Sequence, residues 1–276
     1  MISSYINMNI QEREEIFLNR IKNNEAELNW TPIYSKIKNY IATFWVTTDA
    51  LKLQFDQNMI RINVSANLQQ KIADIYDASL LTPKLADLIA SQAEIKLNPQ
   101  PLPITSSLDA MIQNSLKIDK LINDKTKLVD TVGKHWCIAN EMVGSNMALN
   151  YGWHIHNPKT FQIKSYVCDS KEINPQTNMP FTTVQPSAQA HDIHHTDYSQ
   201  ICCLVSNYCV VNDKEMSLQA LLTDPVLSSL ANHNGVLKVL RQPGVTKVDT
   251  IFSPVLIEQR LKAIQDYIDK AVSIFH

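Results

Sequence analysis

Five glycines (Gly133, Gly144, Gly152, Gly235 and Gly244) serve a chain of 276 residues, where an average chain gives roughly 7% of its positions to glycine. Loops that cradle phosphate depend on glycine, because backbone amides must come close to the anion. Neither G-x-G-x-x-G nor G-x-x-x-x-G-K-[ST] occurs, so folds that hold nucleotides through such loops are disfavoured. Helix-like and strand-like patterns also fail to alternate regularly, which argues against a doubly wound sheet and for a mixed α+β fold.

The expected α+β fold has a helix-rich N-terminal half with a β-hairpin, a β-rich middle segment and C-terminal helices. Residues 9–29 carry a sparse helical stripe of Ile16, Phe17, Ile21 and Leu28. Residues 43–53 and 58–64 read as a hairpin about the turn-like Asp56-Gln57-Asn58. Ser65 or Asn67 caps the next helix, and Thr82 followed by Pro83 opens another, since proline at the first helical position loses no bonded N–H. The three prolines of 98–107 mark a crossing loop, followed by a helix over 108–124. This loop divides the chain into a mixed helix/hairpin region, 1–107, and a β-rich, histidine-containing region with C-terminal helices, 108–276, either as two domains or around one shared core.

Further on, 127–132 and 135–139 flank Gly133-Lys134 as a second hairpin. Residues 151–156 and 161–168 read as strands, and 169–190 as a long functional loop. Residues 201–211 are an apolar run of either helix or strand. Ser217 caps a short helix, Asp224-Pro225 opens one that stops at Gly235, and Ser253-Pro254 opens a last one with Leu261, Ile264, Ile268, Val272 and Phe275 on one face.

A formal net charge of -2 with scattered lysines gives no electrostatic case for nucleic acid. No stretch approaches the roughly 18 apolar residues of a membrane span. The start lacks a secretory signal pattern, and five cysteines without C-x-x-C spacing fit reduced thiols in the cytoplasm. Leaderless export by a dedicated machine is also compatible with these features.

Chemistry concentrates in one stretch. Five of eight histidines fall within 42 consecutive residues, where even spreading would place about one. His154-Ile155-His156 is H-x-H, and on a strand both rings share a face. His191-Asp192-Ile193-His194-His195-Thr196-Asp197 is H-x-x-H-H-x-D, and on a helix 191, 194 and 195 share a face. Neutral imidazoles with a carboxylate suit zinc, so His154, His156, His191, His195 and Asp197 are candidate metal ligands, with Asp192 an alternative carboxylate. The spacing is not H-E-x-x-H, and no glutamate lies beside either pair.

Two other readings stand beside zinc. In a metal-free site, His194 or His195 is the base, Asp197 orients it and Ser199 is the nucleophile, although Ser199 lies in D-Y-S-Q rather than a nucleophile elbow. Cys137 is a lesser candidate, since free cysteines mostly fill cores. In the third reading the histidines are structural. Tyr151 and Trp153 about Gly152 either wall a sugar- or peptide-binding groove or pack in the core. Gln185, Tyr198 and Gln200 are candidate pocket-lining groups.

The segments Ile72-Ala73-Asp74, LLTPKLADLI from Leu80, Gly133-Lys134-His135-Trp136, Asn150-Tyr151-Gly152-Trp153 and His191-x-x-His194-His195-x-Asp197-Tyr198-Ser199-Gln200 resemble a group of uncharacterised bacterial proteins over most of residues 60–245. That resemblance implies a shared fold and carries no activity with it. Cell-wall metallopeptidases place H-x-H last among their ligand motifs, whereas here it comes first. The co-location of H-x-H, H-x-x-H-H-x-D and the Tyr151/Trp153 pair points to a hydrolase, zinc- or histidine-dependent, acting on a peptide or amino-sugar polymer such as cell wall. The alternative is a non-catalytic binding or assembly protein with a structural histidine cluster.

Overall fold

The computed structural model describes residues 8–103, 105–130, 132–156, 168–173 and 180–251. Helix α1 (Ile10–Lys22) opens with a capping box: Asn9 accepts from the Glu12 amide while Glu12 accepts from the Asn9 amide, satisfying donors that a helix start leaves open. Strands β1 (Ala26–Glu27), β2 (Trp30–Ile37), β3 (Tyr40–Thr47), β4 (Lys52–Phe55) and β5 (Asn58–Arg61) follow. Next come α2 (Ala66–Ile75), β6 (Ala78–Leu80), α3 (Pro83–Gln92), β7 (Ile95–Lys96) and α4 (Leu108–Asp119). The middle holds β8 (Val129–Asp130), β9 (Lys134–Cys137), β10 (Ala148–His154), β11 (Cys168–Ile173) and β12 (Pro180–His191). Strands β13 (Gln200–Ile201), β14 (Leu204–Val211) and β15 (Lys214–Ser217) precede α5 (Leu218–Thr223).

Beside a β1-β4-β5 sheet and a β7-β8 pair, two larger sheets organise these elements. One runs β15-β14-β3-β2, with β6 also on β14; the other runs β11-β12-β10-β9-β13. The α+β expectation holds, but the N-terminal half is not helix-rich, because strands dominate from residue 26. Strands β2 and β3 pair from Trp30↔Thr47 to Ile37↔Tyr40, through the β-branched and aromatic side chains that suit a pleated surface.

The expected caps are present: Ser65 accepts from Leu68, Thr82 from Leu85 with Pro83 at the helix start, and Ser217 from Ala220. The β4–β5 hairpin turns at Asp56, whose φ is 52°. Residues 43–53, however, are two strands rather than one, since β3 pairs with β2 and β14 while β4 pairs with β5 and β1.

Other expectations give way to long-range pairing. No hairpin forms around Gly133, because β8 pairs in parallel with β7, and β9 pairs with β10 and β13. Gly133 serves close approach instead: a Cβ there would lie 2.4 Å from the Ser199 carbonyl oxygen. Within the expected loop at 169–190, residues 169–173 and 180–190 are strand, in β11 and β12. Strand β12 tolerates Pro186 where its register slips, since Asn150 faces Ala188 and Gly152 faces Gln185, three residues against two. The apolar run 201–211 is strand rather than helix, Ile201 ending β13 and Leu204–Val211 forming β14, with Cys202 and Cys203 between them. Asp224 does cap a turn, its carboxylate accepting from Val226 and Leu227 as an N-cap does, but the expected helix to Gly235 does not continue beyond a 3-10 turn at Leu227–Leu230. The expected strand at 161–168, except its end, and the helix from Ser253 lie outside the described residues. No helix among the described residues is long and apolar enough to cross a membrane.

One hydrophobic cluster draws on both sides of the 98–107 segment, joining Phe17, Phe44 and Leu85 to Trp136, Leu149 and Cys209. A smaller one gathers Trp153, Ile155, Val184 and Tyr198, with Leu102 against it. Buried Arg61 ties β5 to α4 by donating to the Ser115 carbonyl at 3.2 Å and gripping Asp49 at 2.6 and 2.9 Å. Arg61→Met should destabilise the fold by about 3–5 kcal/mol, because Asp49 loses its main counter-charge; urea unfolding measures this.

Candidate functional site

A cluster of ionisable side chains lies where α3 meets β10. Asp87 is 0% exposed on a helix whose residues from Pro83 to Ala90 are all buried. Tyr151 Oη donates to Asp87 Oδ1 at 2.7 Å, and His154 Nε2 meets the same oxygen at 3.0 Å. His154 Nδ1 lies 3.5 Å from Asp130 Oδ2, and His156 Nε2 is 2.6 Å from that same oxygen. His233 Nε2 closes the other end, 2.8 Å from Asp87 Oδ2. Imidazole and carboxylate thus alternate in the order His156, Asp130, His154, Asp87, His233. The inner three side chains are at most 2% exposed, whereas His156 and His233 reach solvent at 16% and 28%.

Local structure explains why these groups meet. Residues 151 and 154 would face opposite sides of a regular strand. Both reach Asp87 because Gly152 and Trp153 take φ values of 101° and 62°, at a slip of the β10–β12 register. A tryptophan at positive φ is a backbone outlier of the kind that surrounding structure must enforce. His154 and His156 keep their two-residue spacing and share Asp130, as H-x-H on one face requires. His233 is delivered by the segment after the 3-10 turn, docked on the start of α3 by hydrogen bonds from Thr82 to the Ala231 carbonyl and from Lys84 to the Ser229 carbonyl.

Electrostatics then fix the protonation pattern. Burial disfavours charge on His154, but Asp130 and Asp87 outweigh it and push its pKa up to about 9. Burial likewise raises Asp130 and Asp87, yet contact with the imidazoles holds both below the usual carboxylate range. His154 is therefore a cation between two carboxylates. His135, opposite Tyr151 on β9, is pushed down to about 4 by desolvation against the pull of Asp130, so it is a neutral imidazole.

The H-x-x-H-H-x-D segment lies elsewhere. Ala148 pairs with His191 and His154 with Thr183, so up to about 20 Å of strand separates the two histidine groups. It is also on the other face: His135 and Tyr151 form one directly opposed pair, and Trp136 and Asn150 the next, and opposed residues share a face. Trp136 meets His191 edge-on at 6.3 Å. The five expected zinc ligands therefore do not converge, and among the described residues no three His, Cys, Asp or Glu side chains are placed to hold an ion. Both His154 nitrogens face carboxylates, which leaves neither lone pair for a metal.

Residues 192–199 form turns rather than a helix. His191 and His195 stack at 3.8 Å, while exposed His194 lines a separate cleft with Glu14 and Lys71. Asp197 accepts from the Ser199 amide and hydroxyl, with Lys134 at 3.5 Å and His195 only at 3.9 Å. The expected triad is thus not assembled among the described residues, since the Ser199 hydroxyl donates to Asp197 rather than to an imidazole. Gln200 accepts from the Asp197 amide, Tyr198 Oη accepts from the Leu102 amide, and Gln185 donates to the Pro186 carbonyl. Tyr151 is core, Trp153 is 5% exposed in the smaller cluster, and Cys137 is fully buried.

Asp87, Asp130, His135 and His233 escaped the sequence reading. Their signal was slight: a carboxylate amid apolar neighbours in Leu85–Ile89 and again in Leu128–Val132. No family model, curated protein or solved structure matches the chain.

The His154 shift has a definite sign. Its folded value of about 9 exceeds the ordinary 6.5, so its stabilisation is complete below about 6.5 and is lost as pH rises through 9, by on the order of 1–3 kcal/mol. His135 works oppositely, destabilising the fold as pH falls from 6.5 to about 4. Urea midpoints across this range should fall at both ends, with His154→Gln flattening the alkaline limb and His135→Phe the acid limb. Gly152→Ala should cost about 1–3 kcal/mol in the same assay, because its φ is 101° and the new Cβ would meet His135 at 3.0 Å.

Proposed function

We propose that this protein is a hydrolase in which a carboxylate-held histidine activates water against a peptide or amino-sugar polymer. The observation that carries the reading is the 2.6 Å contact of partly exposed His156 with buried Asp130. A carboxylate on one ring nitrogen fixes the imidazole's orientation and stabilises the imidazolium formed when the other nitrogen takes a proton. His156 Nδ1 is the nitrogen left for that proton. Water is the attacking group, because among the described residues neither His156 nor His233 hydrogen-bonds a serine or cysteine. The Cys203 and Cys209 thiols are poor nucleophiles, since burial pushes both up to about 12.

His156 then removes a proton from water as it attacks the amide or glycosidic carbon, and the same imidazolium can return the proton to the leaving nitrogen or oxygen. His233 on Asp87 is the second surface imidazole of this centre. The zinc-dependent form of this hydrolase would need these contacts to be broken, so no step is routed through a metal.

The test is release of new amines or reducing ends from peptide and N-acetylated amino-sugar polymers. His156→Asn and Asp130→Asn should each lower turnover by about 10²–10⁴-fold, with His156→Asn still unfolding cooperatively at a cost of about 1–3 kcal/mol for the lost contact with Asp130. Chelator-treated protein should keep its activity. Turnover that survives His156→Asn overturns the assignment, and activity lost to chelator and restored by zinc replaces it with a metal-bound water.

A further inference from the structure

A cleft of about 600 Å³ lies beside α4, on a part of the molecule that the acid–base centre does not use. Leu102 and Leu116 form its apolar wall. Leu102 is held in place, because it packs on the cluster of Trp153, Ile155, Val184 and Tyr198 and its amide donates to Tyr198 Oη at 2.7 Å. Lys117, Lys120 and Lys125 also line the cleft, and all three are exposed. Its one lining carboxylate, Asp119, has Arg61 Nη1 at 2.8 Å, so it is already balanced and leaves the lysines in excess.

Asn114 adds a specific polar group. It lines the cleft at 5% exposure, and its side-chain oxygen hydrogen-bonds no described residue. An unpaired carboxamide oxygen in a nearly buried position can accept from a peptide N–H, and burying it unpaired carries a cost that a ligand would relieve. A volume of this size suits a ligand of a few residues.

We propose that this cleft binds an acidic peptide segment with an aliphatic side chain. The aliphatic group lies on Leu102 and Leu116, a backbone amide pairs with Asn114, and the flanking carboxylates face Lys117, Lys120 and Lys125. This assignment is independent of the acid–base centre.

The test is calorimetric titration of the full chain with the acetylated, amidated tripeptide Glu-Leu-Glu, with Lys-Leu-Lys as control. Saturable one-to-one binding of the acidic peptide is expected, weakened at least about tenfold in a Lys117→Glu/Lys120→Glu variant. Lys36→Glu, on β2, should leave it unchanged. The proposal is overturned if no saturable binding occurs at millimolar peptide, if Lys-Leu-Lys binds equally well, or if Lys36→Glu weakens binding as much as the cleft variant does.

Discussion

The charged imidazole of His154, held between Asp87 and Asp130, is the contact on which the centre of this molecule depends. Two carboxylates buried this close would otherwise repel each other, and neither could stay ionised away from water. A cation with a donor on each side solves both problems at once. It joins α3, which carries Asp87, to β8, which carries Asp130, across β10. Because both acids stay charged, each can grip one further imidazole, His156 at one end and His233 at the other. The reach of the site toward solvent is thus set by an interaction that is itself almost wholly enclosed.

That arrangement requires a distorted strand. With ideal pleating, Tyr151 and His154 could not meet the same carboxylate, so β10 turns through Gly152 and Trp153 in left-handed conformations. Neighbours enforce the turn. Tyr151 is anchored on Asp87, Trp153 packs edge-on to Tyr198 at 6.2 Å, and the His135 ring fills the space beside Gly152. A chain this poor in glycine uses one of its five at this bend, where the missing Cβ leaves room for His135.

The same sheet keeps two polar groups apart. On the side facing α3 lie the neutral His135 and the Asp–His–Asp core. On the other side Lys134, Asp197 and Ser199 close a turn, with the stacked His191 and His195 beside it. Sequence proximity had drawn these into one cluster. The β9–β10 pairing assigns alternate residues to opposite faces, and the length of β10 separates the ends.

What the sequence by itself determined is local. Helix starts at Ser65, Thr82 and Ser217, the β4–β5 hairpin and the shared face of His154 and His156 all follow from neighbouring residues, since caps, tight turns and strand alternation act over two to four positions. The α+β class followed from the same patterns. What only the tertiary structure decided is which distant residues complete those pieces. Asp87 reads as one polar residue in an amphipathic helix, and Asp130 as one in an apolar run. His233 stands alone between two asparagines. Each became part of the centre through pairing and docking across tens of residues: β7 on β8, α3 on β10, and the Ser229–His233 segment on the start of α3. A carboxylate's burial depends on what packs over it, which no local pattern records. The histidine cluster was visible in the sequence, but its division into two sites, and the acids that give one of them its charge, were set by the sheet.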